Sequence, residues 1–354
     1  MSTLIDKIMK NSTIKSTELI EKSTVFQNLK PITTKIPMIN VACSGSLDGG
    51  LHLGIHTIAG ESKHFKSSFA LVLASAFQQQ YKDGIILFYD SEFGSPLEYF
   101  KSANIDLSRV VHTSIMNIEE LKFDIMNQLD GFEKEDNVFI LIDSIGNLAS
   151  IKEVEDAMSE KSVSDMTRAK QLKSLWRMVT PHLNTKNIPL VNINHIYKEM
   201  ALYPKSIVSG GSGGIYSSNS IWIVTRSQEK EKSTDKEISG YKFTINIEKS
   251  RYIKEKSKIP IVVNFKGGIL KWSGFLEVAL EGGYAHKPKQ GYYEILDPST
   301  GEILCDKPYK ERDIINNSEI WTTLLEKTDF AEYVKEKYTL PKTNLIDEKY
   351  EETE

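Results

Sequence analysis

Gly60 and the pair Lys66-Ser67 stand at the spacing of G-x-x-x-x-G-K-[ST], the loop that cradles nucleotide phosphates. In such a loop the stretch Gly60, Glu61, Ser62, Lys63, His64, Phe65, Lys66, Ser67, Ser68 turns its backbone N–H groups toward phosphate at a helix N-terminus. Lys66 would reach the β- and γ-phosphates, and the Ser67 hydroxyl would ligate Mg²⁺. Phe65 departs from the pattern, because it occupies the second glycine position, where an unhindered backbone is favoured. Taken alone, the same residues also describe a helix cap rich in Ser and Lys.

Three more polar residues follow apolar runs. Asp143 ends VFILID and fits a carboxylate holding Mg²⁺ opposite Ser67, or else a turn acid at a strand end. Glu92 lies two residues past IILFYD, where a carboxylate can activate water for phosphoryl transfer; elsewhere it would be a solvated loop acid. His195 follows PLVNIN and offers one donor and one acceptor when neutral.

These residues need a scaffold. The apolar runs at 55–59, 85–90, 138–143 and 189–194 read as strands, alternating with helix-period segments after Lys66 and at 97–103, 118–132 and 165–180, the last closed by Pro181. Such alternation predicts an α/β fold with a mainly parallel sheet covered on both faces. Ligands of these sheets bind at the strands' carboxyl ends, where Gly60, Glu92, Asp143 and His195 all fall. Residues 198–218 carry four glycines and five serines without periodicity and are expected to form a mobile loop. Strand-like runs return at 220–225, 241–248 and 259–265, with a polar hairpin excursion between the first two.

The 354 residues suffice for one large α/β domain with appendages. No apolar run approaches about 18 residues, so no membrane-spanning helix is expected, and the N-terminus lacks a signal-peptide core, pointing to a cytoplasmic protein. Cys43 and Cys305 have no metal-ligand spacing and read as reduced packing residues. One of the 44 basic and five of the 48 acidic residues lie in the terminal DEKYEETE, leaving a body of 43 each. Nucleic-acid binding would therefore need a local patch repeated in an assembly.

IAGESKHFKSS, LFYDSEFG, FILIDSIGNLAS, VNINH, SGGSGGIYSS and INIEKSR, in this order and at these spacings, resemble the RecA-type ATP-dependent DNA recombinases, most nearly the phage branch of the UvsX kind. That branch also accepts Phe at the second glycine position. The resemblance implies a RecA-like P-loop ATPase core over 31–275, a short N-terminal oligomerisation arm over 1–30, a small C-terminal α/β domain over 276–345 and an acidic tail over 346–354. It implies ATP and Mg²⁺ as cofactors, Glu92 as catalytic base, Asp143 on the Mg²⁺ side and Tyr99 stacking on adenine. His195 stands where bacterial members carry a γ-phosphate-sensing glutamine. Lys249 and Arg251 match cations that reach the ATP of the adjacent subunit. Two segments correspond to DNA-binding loops: 150–164, opening into the helix with Arg168, and 209–218, with Gly210, Gly211, Ser212, Gly213 and Gly214. The implied partners are single- and double-stranded DNA, further copies in a helical filament, a single-strand-binding protein and a recombination mediator. A hexameric ring motor, a DNA helicase, shares the core motifs but usually brings a large N-terminal domain, whereas about 30 residues precede the core here.

Overall fold

The computed structural model describes residues 3–14, 16–23, 30–159, 166–199, 206–229 and 239–341. The chain forms two compact units, Met1–Lys30 and Pro31–Glu354. In the first, helix α1 (Leu4–Asn11) begins at a capping box: Thr3 Oγ1 accepts from Asp6 N–H, and the Asp6 carboxylate accepts from Thr3 N–H. Its apolar residues Leu4, Ile5 and Ile8 are exposed.

The second unit opens with α2 (Pro37–Ser44) and then alternates as anticipated: β1 (Gly54–Gly60), α3 (Lys66–Gln80), β2 (Ile85–Asp90), α4 (Leu97–Ser102), β3 (Val110–Ser114), α5 (Ile118–Gly131), β4 (Val138–Asp143), α6 (Ile151–Met158), α7 (Thr167–Thr185) and β5 (Pro189–Lys198). After β6 (Ser206–Val208) and α8 (Ser212–Ser217) come β7 (Ser220–Glu229), β8 (Gly240–Ser250), β9 (Lys258–Asn264) and β10 (Gly268–Ile269). The main sheet runs β10-β9-β8-β7-β1-β5-β4-β2-β3, with β6 beside β5. From β7 through β3 the neighbours are parallel, whereas β8, β9, β10 and β6 pair antiparallel.

Side chains on a strand alternate between faces, and the core divides accordingly. Ile58, Ile86, Phe88 and Phe139 pack with Phe69, Leu73 and Phe77 of α3, while Ile55, Leu87 and Ile140 pack with Ile125 of α5 and Leu172 and Val179 of α7. The C-terminal part holds α9 (Phe275–Gly282), a small sheet of β11 (Ala285–Lys289), β12 (Tyr292–Ile295) and β13 (Tyr309–Lys310), then α10 (Glu311–Ile315), α11 (Ser318–Lys327) and α12 (Phe330–Tyr338). Its buried Phe275, Trp321 and Phe330 belong to the same apolar cluster as α3. No helix among the described residues is long and apolar enough to cross a membrane. The terminal acidic stretch lies outside the described residues.

Two expectations are corrected, and two elements were not anticipated. α7 does not stop at Pro181 but continues to Thr185. Pro181 and Arg177 are exposed, so the helix bond removed by proline is lost on the solvent side. Side chains reinforce that turn, with Thr180 Oγ1 donating to the Trp176 carbonyl (2.6 Å) and Asn184 Nδ2 to that of Thr180 (2.8 Å). Within 198–218, the described residues are not an unstructured loop but hold β6 and α8. β3 was missed because it is an edge strand whose residues are mostly exposed, leaving no apolar run. α2 was not anticipated either; Pro37 starts it and Gly45, at φ 81°, ends it in the left-handed conformation.

Candidate functional site

The P-loop joins the end of β1 to α3 and has little steric freedom. A Cβ on Gly60 would lie 2.8 Å from the Val224 carbonyl oxygen of β7, so glycine is required where the two strands meet. Lys63 and Phe65 both adopt left-handed backbone conformations, each at φ 62°. Phe65 fits there because its ring stacks on Phe243 of β8 (centroids 5.2 Å apart) and meets Phe69 edge-on (5.4 Å). Arg226 of β7 braces the loop from outside, donating to the Lys63 carbonyl (3.1 Å) with its guanidinium over the Tyr241 ring. Neither Phe243 nor Arg226 was singled out in the sequence, since nothing local marks a partner so distant along the chain.

Lys66 is buried, and its Nζ donates to the Glu61 carbonyl (2.8 Å). Burial pulls its pKa down, while the nearby Glu92 and Asp143 carboxylates pull it back up. Ser67 Oγ donates to Asp143 Oδ2 (2.7 Å), uniting the P-loop with the end of β4. The other Asp143 oxygen, Oδ1, is buried without a hydrogen-bond partner. Burial pushes the Asp143 pKa up to about 6, against the opposing Ser67 bond. A buried unpartnered carboxylate oxygen is costly, and a divalent cation beside Ser67 would satisfy it. No cluster of three or more His, Cys, Asp or Glu among the described residues could cage a metal. That suits Mg²⁺, which usually takes one or two carboxylates and completes its shell with water and phosphate oxygens.

Glu92 is set by both adjoining strand ends. Asp90 Oδ1 accepts from the N–H groups of Glu92 (3.0 Å) and Phe93 (2.8 Å), fixing the turn out of β2. Glu92 Oε1 then accepts from Ser144 Oγ (2.5 Å) and from His195 Nε2 (2.9 Å). The His195 bond, helped by the Ser144 bond, holds the Glu92 carboxyl below the usual range despite partial burial. Ser144 was not among the anticipated site residues, although its place directly after Asp143 in the strand-end motif was a usable signal. The Asp143–Ser144 peptide is cis.

Lys66, Ser67, Glu92, Tyr99, Asp143 and His195 line one cleft of about 940 Å³, together with the remaining loop residues from Ser62 to Ser68. Tyr99, half exposed, projects from α4 at its rim, and Asn104 and Phe265, which the sequence reading passed over, share the lining. Lys249 and Arg251 do not line this cleft. Lys249 Nζ instead donates to the carbonyls of Ile215 (2.7 Å) and Tyr216 (3.1 Å) near the end of α8.

The chain belongs to the RecA family. Its residues 7–270 match the RecA N-terminal domain. Residues 272–334 match the family described as the C-terminal domain of the bacteriophage T4 recombination and repair protein. The recombination and repair protein of Enterobacteria phage T4 is 45% identical over 343 residues, covering 96% of this chain and 87% of that one. Protein RecA of Borreliella burgdorferi strain ZS7 is 23% identical over 253 residues, covering 70% of this chain and 68% of its own. Protein RecA of Borreliella afzelii is 21% identical over the same length.

In this RecA-family chain the glycine-rich segment has a packing role that the sequence did not reveal. Gly210 and Gly211 have positive φ, and a Cβ on Gly213 would sit 2.9 Å from Lys173 Cα of α7. Gly214 lies against the Trp176 ring. Ser212 opens α8. Arg168, at the start of α7, turns inward: its Nε donates to the Leu148 carbonyl (2.7 Å) and its guanidinium also reaches those of Ile145 (3.1 Å) and Gly146 (3.0 Å). The first anticipated DNA segment begins with Ser150, which caps α6, and its residues 160–164 lie outside the described residues.

Proposed function

We propose that this protein is an ATP-dependent recombinase that coats single-stranded DNA as a helical filament and carries out homologous pairing and strand exchange. The observation that carries this reading is the cleft at the carboxyl ends of β1, β2, β4 and β5. There Lys66, the Ser67–Asp143 pair with its unpartnered Oδ1, and Glu92 held by Ser144 and His195 converge. The T4 relative is named for recombination and repair and matches nearly the whole chain, which favours a recombinase over a ring motor.

In this reading the P-loop and the α3 N-terminus hold the ATP phosphates, and Lys66 offers a cation to the β/γ pair. Ser67 and Asp143 would hold Mg²⁺, which when bound supplies charge neutralisation at the transferring phosphoryl group. Glu92 takes a proton from the attacking water. Its Oε1 is already occupied by two donors, while Oε2 has no hydrogen bond among the described residues and is the oxygen available for that proton. Two donors keep the carboxylate ionised and oriented, ready as a base. A neutral His195 donating through Nε2 has committed its one proton to Glu92. Donating that proton to a phosphate oxygen would release Glu92, so His195 can report nucleotide state by changing partners. Tyr99 at the cleft rim suits stacking on the base.

The α6–α7 segment and the region around α8 would face single-stranded DNA, holding its backbone and leaving base pairing to read sequence. Lys249 and Arg251, outside this protomer's cleft, would reach the ATP of a neighbouring copy, and the apolar side of α1 would dock on that neighbour. A single-strand-binding protein and a loading mediator remain the implied partners. The test is hydrolysis stimulated by single-stranded DNA. Glu92→Gln should retain ATP and DNA binding while losing turnover by a factor of about 10² or more. Full turnover by this variant, or loss of nucleotide binding in a fluorescence assay, would remove Glu92 from the role of base.

A further inference from the structure

We propose that Arg168 is a positioning residue for hydrolysis, tying the first turn of α7 to the loop that orients Glu92 and His195; this rests on the assignment of those two residues to hydrolysis above. One guanidinium gathers the carbonyl oxygens of Ile145, Gly146 and Leu148, at 3.1, 3.0 and 2.7 Å. A planar fork holds its donors at fixed angles for such a convergence, a geometry that a flexible ammonium does not fix. The loop it holds follows β4 directly and presses on both partners of Glu92. At its start, Ser144 Oγ donates to Glu92 Oε1 (2.5 Å), and Ser144 N–H is pinned by Ser91 Oγ (3.0 Å). One residue beyond Ile145, the Gly146 backbone lies so close to the imidazole that a Cβ there would fall 2.3 Å from His195 Cδ2. His195 in turn donates to the same Glu92 oxygen (2.9 Å). Arg168 therefore grips one side of a short loop whose other side sets the geometry of the carboxylate.

The consequence is a mechanical link between α7, whose first turn follows the segment proposed to meet DNA, and the base in the ATP cleft. Any shift of that turn moves three carbonyls, and with them Ser144 and the seat of His195. It also changes the role expected for Arg168. With Nε and Nη2 committed to backbone oxygens and its side chain partly buried, it holds the loop rather than acting as a phosphodiester contact.

The experiment uses the full-length protein with ATP and single-stranded DNA, comparing wild type with Arg168→Lys. For a positioning residue, kcat at saturating DNA falls about 10- to 100-fold, as a small misplacement of reacting groups does. KM for ATP and the salt dependence of DNA affinity stay near wild type. For a phosphate ligand, kcat at saturating DNA is kept, and the charge-removing Arg168→Gln lowers the slope of log affinity against log salt by about 0.7; that result overturns the proposal. Gly146→Ala, which crowds His195 and leaves the Arg168 side chain in place, reads the same loop should the lysine variant fold poorly, and unchanged kcat there also overturns it. Combining Arg168→Lys with Ser144→Ala separates positioning from general structural damage. Because both act through Glu92, the double variant should lose less than the product of the single losses, and full additivity counts against the link. Glu92→Gln runs alongside: if it hydrolyses normally, the base assignment has failed, whereas an inactive Glu92→Gln beside a fully active Arg168→Lys defeats only the Arg168 link.

Discussion

Phe65 sits at φ 62° in a P-loop position that ordinarily takes glycine. A left-handed backbone costs a side chain about 1–2 kcal/mol, and each well-placed aromatic pair returns about 0.5–1.5 kcal/mol beyond the burial of the ring. With Phe243 stacked on one side and Phe69 edge-on, the balance favours Phe65. The residue then does more than replace a glycine, because it ties the loop to β8 while Arg226 ties Lys63 to β7. Phe65→Gly would relieve the backbone but lose both ring contacts and add freedom to the unfolded chain. It should lower stability by about 1–2 kcal/mol and raise KM for ATP several-fold, with Phe65→Tyr close to wild type. Thermal melts and ATP titrations check this; a glycine variant equally stable and equally tight in binding would show that the ring contributes nothing. The sequence exposed Phe65 as a departure but not what accommodates it, because stacking on Phe243 depends on β8 lying beside the loop.

Strands and helices were readable where their pattern was strong. β1, β2, β4 and the start of β5 are apolar runs buried on both faces, and they place Gly60, Glu92, Asp143 and His195 at one edge. What escaped had a tertiary cause. α8 exists because glycines let it approach α7, and α7 passes Pro181 because the missing bond faces solvent. His56, inside β1, shows a similar dependence on neighbours. Its Nε2 lies 2.8 Å from the His52 carbonyl and its Nδ1 2.7 Å from Ser220 Oγ of β7, so the neutral ring donates through Nε2 and accepts at Nδ1. Burial pushes its pKa down to about 4 from the ordinary 6.5. The unfolded chain therefore binds a proton that the folded one refuses, and the stability His56 contributes above pH 6.5 is lost as pH falls toward 4, on the order of 2–3 kcal/mol. His56→Gln should start less stable at pH 8 but lose less between pH 6.5 and 4. Urea midpoints across that range decide it, and parallel pH profiles for the two proteins would contradict the assignment.

For the whole molecule, a net charge of −4 gives no bulk attraction to nucleic acid, so DNA binding must come from a surface repeated by assembly. The exposed Leu4, Ile5 and Ile8 of α1 offer an apolar contact for such an assembly. Lys249 and Arg251, outside the cleft of their own protomer, offer the charges that a neighbouring cleft would need. A fixed cation at the transferring phosphate is worth orders of magnitude in rate, so supplying it from the next copy would keep hydrolysis idle until the protein assembles on DNA. The most direct test mixes two variants, Lys66→Ala and Lys249→Ala, each inactive alone with ATP and single-stranded DNA. Some interfaces in the mixture pair the intact cleft of the second with the intact cation of the first, and hydrolysis should return to a measurable share of wild type. A mixture that stays as inactive as its parts, although both variants fold and co-assemble on DNA, would contradict a shared ATP site.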